Sequence, residues 1–344
     1  MECLTVEYRN ELKECIHRGR IAVVGEGGRL LWHTDEIEAV TYFRSASKPV
    51  QVLPLLVEGL DAAYHLNKKE IAVMSGSQGG EPEHIEVLES ILKKTGFREE
   101  DFIIKPCLPE ETTAREEVLR SGGQMRSLYH LCAGKHLAAM ILQKYLTNDT
   151  AGYWKTEAAA QQCILKYISK FCRIPPQDIK LGIDGCGVPV FAVPFYAIAS
   201  AYQKLAAPQE AFQGMGKEGA KWREGVMRIQ TAMNENPVLV RRTGHICSVL
   251  NEDKNLIVKD GSQGVLGIGM KKEKMGIAIK IEDGSEHTMP AVVKELFRQI
   301  GYVNPMLEKR LDELFDEKIY NNQGDVIGRI CPEFHLQSGI GEGR

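Results

Sequence analysis

The chain has 344 residues, more than a single core usually serves, and its 43% hydrophobic and 26% charged content is ordinary for a globular protein. A net charge of −3 lacks the basic footprint of a nucleic-acid or anionic-membrane binder, so neither is expected as a partner. No apolar stretch is long enough for a bilayer, Met1 to Glu7 has no basic-then-apolar leader, and nine cysteines at irregular spacings form no disulfide framework. These features together predict a reducing, cytoplasmic setting.

The first predicted element is a hairpin over residues 20–34. Ile21-Ala22-Val23-Val24 and Leu30-Leu31-Trp32 flank the turn signal Gly25-Glu26-Gly27-Gly28. Next comes Phe43-Arg44-Ser45-Ala46-Ser47-Lys48-Pro49, an S-x-x-K spacing. Pro49 suits a first helical turn, so a helix is expected from about Ala46 with Ser45 at its N-cap. There, backbone N–H groups and the helix dipole favour a developing oxyanion. Lys48 shares a face with Ser45 and can take the serine proton if burial or a neighbouring cation keeps it neutral. The plain alternative is a capping serine and a solvated lysine. Val50, Val52, Leu53, Leu55, Leu56 and Val57 make this helix apolar on most faces, which predicts burial, and Pro54 is expected to end or kink it.

Beyond the apolar run 71–74 lies Ser75-Gly76-Ser77-Gln78-Gly79-Gly80-Glu81-Pro82-Glu83-His84, a loop that is either a plain turn or part of a site. A helix follows over 83–94, with Gly96 as its C-cap. In the predicted helix 132–145, Cys132, Lys135 and His136 share one face. With Cys186, from Ile183-Asp184-Gly185-Cys186-Gly187, they offer soft ligands for an ion such as Zn²⁺. Buried structural cysteines, or a cysteine nucleophile paired with His136, explain the same spacing. Helices are predicted over 157–171, 191–205 and 222–233, and a short apolar segment over 178–184. Strands over 256–259, 265–270 and 275–281 then precede a helix over 289–300, and residues 337–344 are expected to fray. Lys259-Asp260-Gly261 is either a surface turn or a second active lysine, similar to the K-T-G element of penicillin-recognising enzymes.

Strands at both ends around a helical middle predict an α+β (mixed α/β) fold. An antiparallel sheet is built from both termini with flanking helices, in two lobes: about 1–60 plus 235–335 for the sheet, and 61–234 for the inserted, mostly helical part.

Taken in order, these motifs resemble the asparaginase II family, the rhizobial type of L-asparaginase. The likeness also includes Glu14-Cys15-Ile16-His17, Gly187-Val188-Pro189 and Gly276 to Gly284. It implies a scaffold like that of serine β-lactamases and glutaminases, and a homodimer. It implies L-asparagine hydrolysis by two Ser–Lys tandems, Ser45 with Lys48 and Ser77 with Lys259. Cys132, Lys135 and Cys186 are implied as a zinc site that supplies no nucleophile. Asp184 is implied to hold the substrate α-ammonium, with Arg44 and His136 as further substrate-binding residues. The chain departs from the family pattern at Tyr129-His130-Leu131, at the amide Gln263 and at His245. Those positions bear on substrate preference. Rivals are a glutaminase or penicillin-recognising acyl-transfer enzyme on the same S-x-x-K scaffold, and an inactive amino-acid-binding protein. Cys132, Asp184 and Cys186 do not fit the penicillin-recognising rival, and retention of both serines and both lysines argues against the inactive protein.

Overall fold

The computed structural model describes residues 1–339. Its strands in chain order are β1 (Glu2–Arg9), β2 (Leu12–Val24), β3 (Leu30–His33), β4 (Val40–Tyr42), β5 (Lys180–Ile183), β6 (Pro189–Pro194), β7 (Leu256–Gly261), β8 (Val265–Met270), β9 (Met275–Ile281), β10 (Lys318–Tyr320), β11 (Val326–Pro332) and β12 (Gln337–Ser338). The main sheet runs β10-β11-β1-β2-β9-β8-β7, with β3 pairing both β2 and β12. All its pairings are antiparallel, and they join strands from both ends of the chain, as expected for an α+β fold. A smaller antiparallel sheet has the order β4-β6-β5.

The central strands β7, β8 and β9 are buried along nearly their whole length, which is why they read as apolar runs and not as alternating ones. Helix Phe195–Ala206 packs on β8, β9 and β2. Helix Lys48–Val57 is buried at every position, among helices Ala133–Thr147, Ala159–Cys172 and Gly216–Glu235. Each apolar side chain enclosed this way contributes about 1.5–3 kcal/mol. The Ser77 loop lies between helix Lys68–Met74, which begins with an Asn67–Glu70 capping box, and helix Pro82–Thr95, which ends at left-handed Gly96 (φ 73°). No helix among the described residues is long and apolar enough to cross a membrane.

Four expectations change. Residues 191–205 are not one helix: Phe191 to Pro194 belong to β6, and the helix starts at Phe195 after Pro194. The apolar run hid the change of period, although Pro194 marked it. Of the two outcomes expected at Pro54, an end or a kink, the helix does not end there but continues to Val57. Gln337 and Ser338 pair with His33 and Trp32 and form a strand, while residues 340–344 lie outside the described part. The helical start near Ser45 also differs. A 3-10 turn, Arg44–Ser47, precedes the α-helix, and Ser45 lies inside that turn, not at an N-cap.

Candidate active site

Ser45 is carried by a constrained piece of backbone. Arg44, just before it, holds a left-handed φ of 52°, uncommon for a side chain of that size. Ser47 Oγ donates to Arg44 O at 2.6 Å and closes the turn. The fully buried Tyr202 hydroxyl donates to Ala46 O at 2.7 Å and Lys259 O at 3.3 Å, tying this turn to β7. Gly261 completes the junction. A Cβ at that position would lie 3.0 Å from Arg44 Cβ and 3.1 Å from Phe43 O, so a side chain there would press the turn away from β7 by a few tenths of an ångström.

In a 3-10 turn, residues three apart eclipse, so Ser45 and Lys48 leave the backbone on the same side. The lysine side chain then runs inward. Lys48 Nζ donates to Gly76 O at 2.8 Å, Ser77 Oγ at 2.8 Å and Leu131 O at 3.2 Å. No carboxylate is among these partners. Burial, helped by the positive charges of Lys135 and Lys259 and opposed by the pull of Cys132, brings its pKa from the ordinary 10.5 down to about 8. Ser77 is also buried, and it is fixed at both backbone ends: its N–H donates to Val240 O at 2.8 Å and its carbonyl accepts from Arg241. Gly76 allows this contact, since a Cβ there would meet Leu239 O and Val240 O at 2.6 Å.

The hydrogen bonds therefore pair the serines and lysines differently from the expected tandems. Lys48 touches Ser77. Lys259 Nζ, fully buried, donates to the Asp260 carbonyl at 2.9 Å and to the Asp260 carboxylate. Against its burial, Asp260 is held well below the usual carboxylate range by Lys259 and Arg241. Arg241 Nε lies 3.4 Å from Asp260, and its other nitrogens grip Glu110 at 2.6 and 2.9 Å. His245 Nε2 is 4.0 Å from Asp260, and burial pushes its pKa down to about 4.

Asp184 lies in the turn between β5 and β6. Arg44 approaches one carboxylate oxygen at 3.2 Å and Lys135 Nζ the other at 3.2 Å. Cys186 Sγ is 3.8 Å from the same carboxylate. Cys132 and Cys186, both buried, share a hydrogen bond. That bond, reinforced by Lys135 and Lys48, holds the Cys132 thiol well below the ordinary thiol range in spite of burial. The same bond, with burial, pushes Cys186 up. Burial opposes the charge on Lys135, but Cys132, Cys186 and Asp184 outweigh it and raise its pKa. Two soft sulfur donors, one with thiolate character, suit Zn²⁺; Lys135 would have to lose its proton to join them. His136 is fully buried. Its Nδ1 meets the Tyr153 hydroxyl at 2.8 Å, and its Nε2 has no hydrogen-bond partner among the described residues. Burial brings its pKa to about 3, so the ring is neutral.

The unusual stretch Tyr129-His130-Leu131 reaches this region through its backbone and one ring. Leu131 O accepts from Lys48, and His130 Nδ1 accepts from the Cys132 N–H at 3.0 Å. Gln78 holds the stretch in place by donating to Leu128 O and His130 O, both at 2.8 Å. Arg241 and Tyr202 were not visible as site residues in the sequence. Arg241 is 164 residues from Ser77, and neither residue belongs to a recognisable spacing.

The fold is of the mixed α+β class, and its buried centre brings an amine, hydroxyls, thiols and a doubly paired carboxylate together. The chain belongs to the L-asparaginase II family, whose sequence model matches residues 5–332. No curated protein matches it. Among solved structures it is similar to Mglu in its native form in the presence of 4.3M NaCl, with a TM-score of 0.47 and 13% identity, covering 83% of this chain and 62% of that one. A second structure, of Mglu in its native form, gives a TM-score of 0.45 and 14% identity over 84% of this chain and 66% of that one. The chain thus spans less than two thirds of the Mglu chain of the first of these.

Proposed function

We propose that the chain hydrolyses L-asparagine to L-aspartate and ammonia through an acyl-enzyme. Family membership supports the amide chemistry. The observation that carries the mechanism is Lys48: a buried amine with a pKa near 8, within hydrogen-bond reach of a serine hydroxyl and of no carboxylate. The neutral amine takes the serine proton as the oxygen attacks the side-chain amide carbon. The tetrahedral intermediate collapses as the proton passes to the departing nitrogen, which leaves as ammonia. Water then cleaves the β-aspartyl ester.

In this reading Ser45 is the nucleophile, and Ser77 relays protons between it and Lys48. A second reading exchanges the serines. The 2.8 Å contact from Lys48 Nζ to Ser77 Oγ favours it, because a base must reach the proton it removes. Asp184 takes the substrate α-ammonium. Its present partner Arg44 is then released toward the α-carboxylate, a charge-assisted exchange. His136 contributes its unpaired Nε2 as a further polar contact. Lys259, held by Asp260, acts as a fixed positive charge that favours the neutral form of Lys48. Cys132, Cys186 and a deprotonated Lys135 would hold zinc, which when bound supplies positive charge near the substrate. A homodimer is what the family resemblance implies, and the irregularly spaced cysteines fit a reducing, cytoplasmic setting.

Ammonia release from L-asparagine and L-glutamine, measured in parallel, tests the substrate. One methylene separates them, worth about 1–3 kcal/mol of discrimination. Intact-mass detection of the acyl-enzyme tests the nucleophile. Ser45→Ala is expected to abolish the adduct while Ser77→Ala slows its formation. The reverse pattern moves the nucleophile to Ser77. Release from neither amide contradicts the asparaginase reading.

A further inference from the structure

A second cluster of ligand-type side chains lies on the main sheet and shares no residue with the candidate active site. In the β1–β2 register Thr5 faces His17 and Glu7 faces Cys15, which makes Glu7 and His17 diagonal neighbours on one face. The turn after β9 adds Asp283 and His287. His17 is 2% exposed, with Nδ1 2.6 Å from Asp283 Oδ2 and Nε2 2.9 Å from Glu7 Oε1. His287 Nε2 meets the same Glu7 oxygen at 2.7 Å, and the two imidazole rings are edge-on with centroids 5.5 Å apart. One ligand atom from each of Glu7, His17 and His287 falls within 4.8 Å of the others.

We propose that Glu7, His17 and His287 bind a divalent transition-metal ion of the zinc kind. Two imidazole nitrogens and one carboxylate oxygen form a donor set suited to Zn²⁺, Co²⁺ or Ni²⁺. Asp283 does what a carboxylate behind a metal-bound histidine does: it accepts the Nδ1–H, fixes the tautomer and aims the Nε2 lone pair at the site. Metal–ligand bonds of about 2.0–2.2 Å need ligand atoms roughly 3–3.5 Å apart, so the Glu7 contacts open by only a few tenths of an ångström. The exposed His287 provides the entry path and leaves a fourth position for water. Bound there, the ion fastens the β1–β2 hairpin to the turn that leads into helix Met289–Ile300.

The test is metal content of the full-length chain after dialysis against Zn²⁺, in a Cys132→Ser/Cys186→Ser background that removes the sulfur ligands. About one equivalent is expected to remain, and adding His287→Ala should remove it together with the zinc-dependent rise in Tm. With Co²⁺, the retained site should show no sulfur-to-metal charge-transfer band. Absence of bound metal in the Cys132→Ser/Cys186→Ser variant, or unchanged content after His287→Ala, overturns the proposal. Should the Cys132→Ser/Cys186→Ser chain not fold, the wild type and His287→Ala alone decide it: a loss of about one equivalent supports the site, and equal stoichiometry refutes it.

Discussion

Lys48 and Lys259 are both fully buried, yet their surroundings give them opposite roles. Lys259 lies against the Asp260 carboxylate, which Arg241 also grips, so its charge is matched where it is buried. Lys48 donates only to two carbonyls and a hydroxyl, and burial, with Lys135 and Lys259 as cationic neighbours, outweighs the opposing pull of Cys132. Burial alone therefore does not make a base. What decides is whether a carboxylate shares the pocket, because an unpaired buried ammonium gives up its proton more readily than a paired one. The helix Lys48–Val57 supplies the dry surroundings, and the 3-10 turn before it keeps the carboxylate Asp184 on Arg44 and Lys135 instead.

Removing the base should break the comparison most severely. Lys48→Met is expected to lower turnover of L-asparagine about 10²- to 10⁴-fold. Stability should move the other way near neutrality. The native pKa of about 8 lies below the ordinary 10.5, so at low pH the fold bears the cost of a buried charge that the unfolded chain does not. That cost disappears as pH rises from about 8 to 10.5. Denaturant titrations should show native stability gaining about 3 kcal/mol on Lys48→Met over that range.

Next in size is the paired lysine. Asp260→Asn leaves Lys259 and Arg241 without their shared carboxylate and should cost about 3–5 kcal/mol in urea unfolding, with the Lys48 hydrogen bonds intact. A smaller effect is expected at the junction of the two regions. Gly261→Ala presses a methyl against Arg44 and Phe43, and calorimetry should record a loss of about 1–3 kcal/mol. Activity is expected to fall with it, since the same turn carries Ser45.

Much of this was legible from the chain itself, for physical reasons. Strands 265–270 and 275–281 occur at the predicted residues because each is one nearly unbroken apolar run between turn signals, and helix 289–300 because its apolar residues keep the helical spacing throughout. Strand β1 went unread because its charged residues interrupt the apolar pattern, and Pro194 was overlooked inside a continuous apolar run. Ser45, Lys48, Ser77, Cys132, Lys135, Asp184 and Cys186 were all marked by motif. Their partners were not legible: that Lys48 meets Ser77, or that Arg241 reaches both Ser77 and Asp260, depends on tertiary contacts between distant segments. The Ser45 N-cap expectation failed because proline at the second α-helical position leaves open whether a 3-10 turn comes first.

The central claim is that Lys48 is a near-neutral amine in the folded protein, and NMR titration of ¹³Cε-labelled lysine tests it directly. One Cε signal, absent from Lys48→Met, should titrate at about pH 8. If that signal instead titrates at or above the ordinary 10.5, Lys48 remains an ammonium at working pH and cannot be the base.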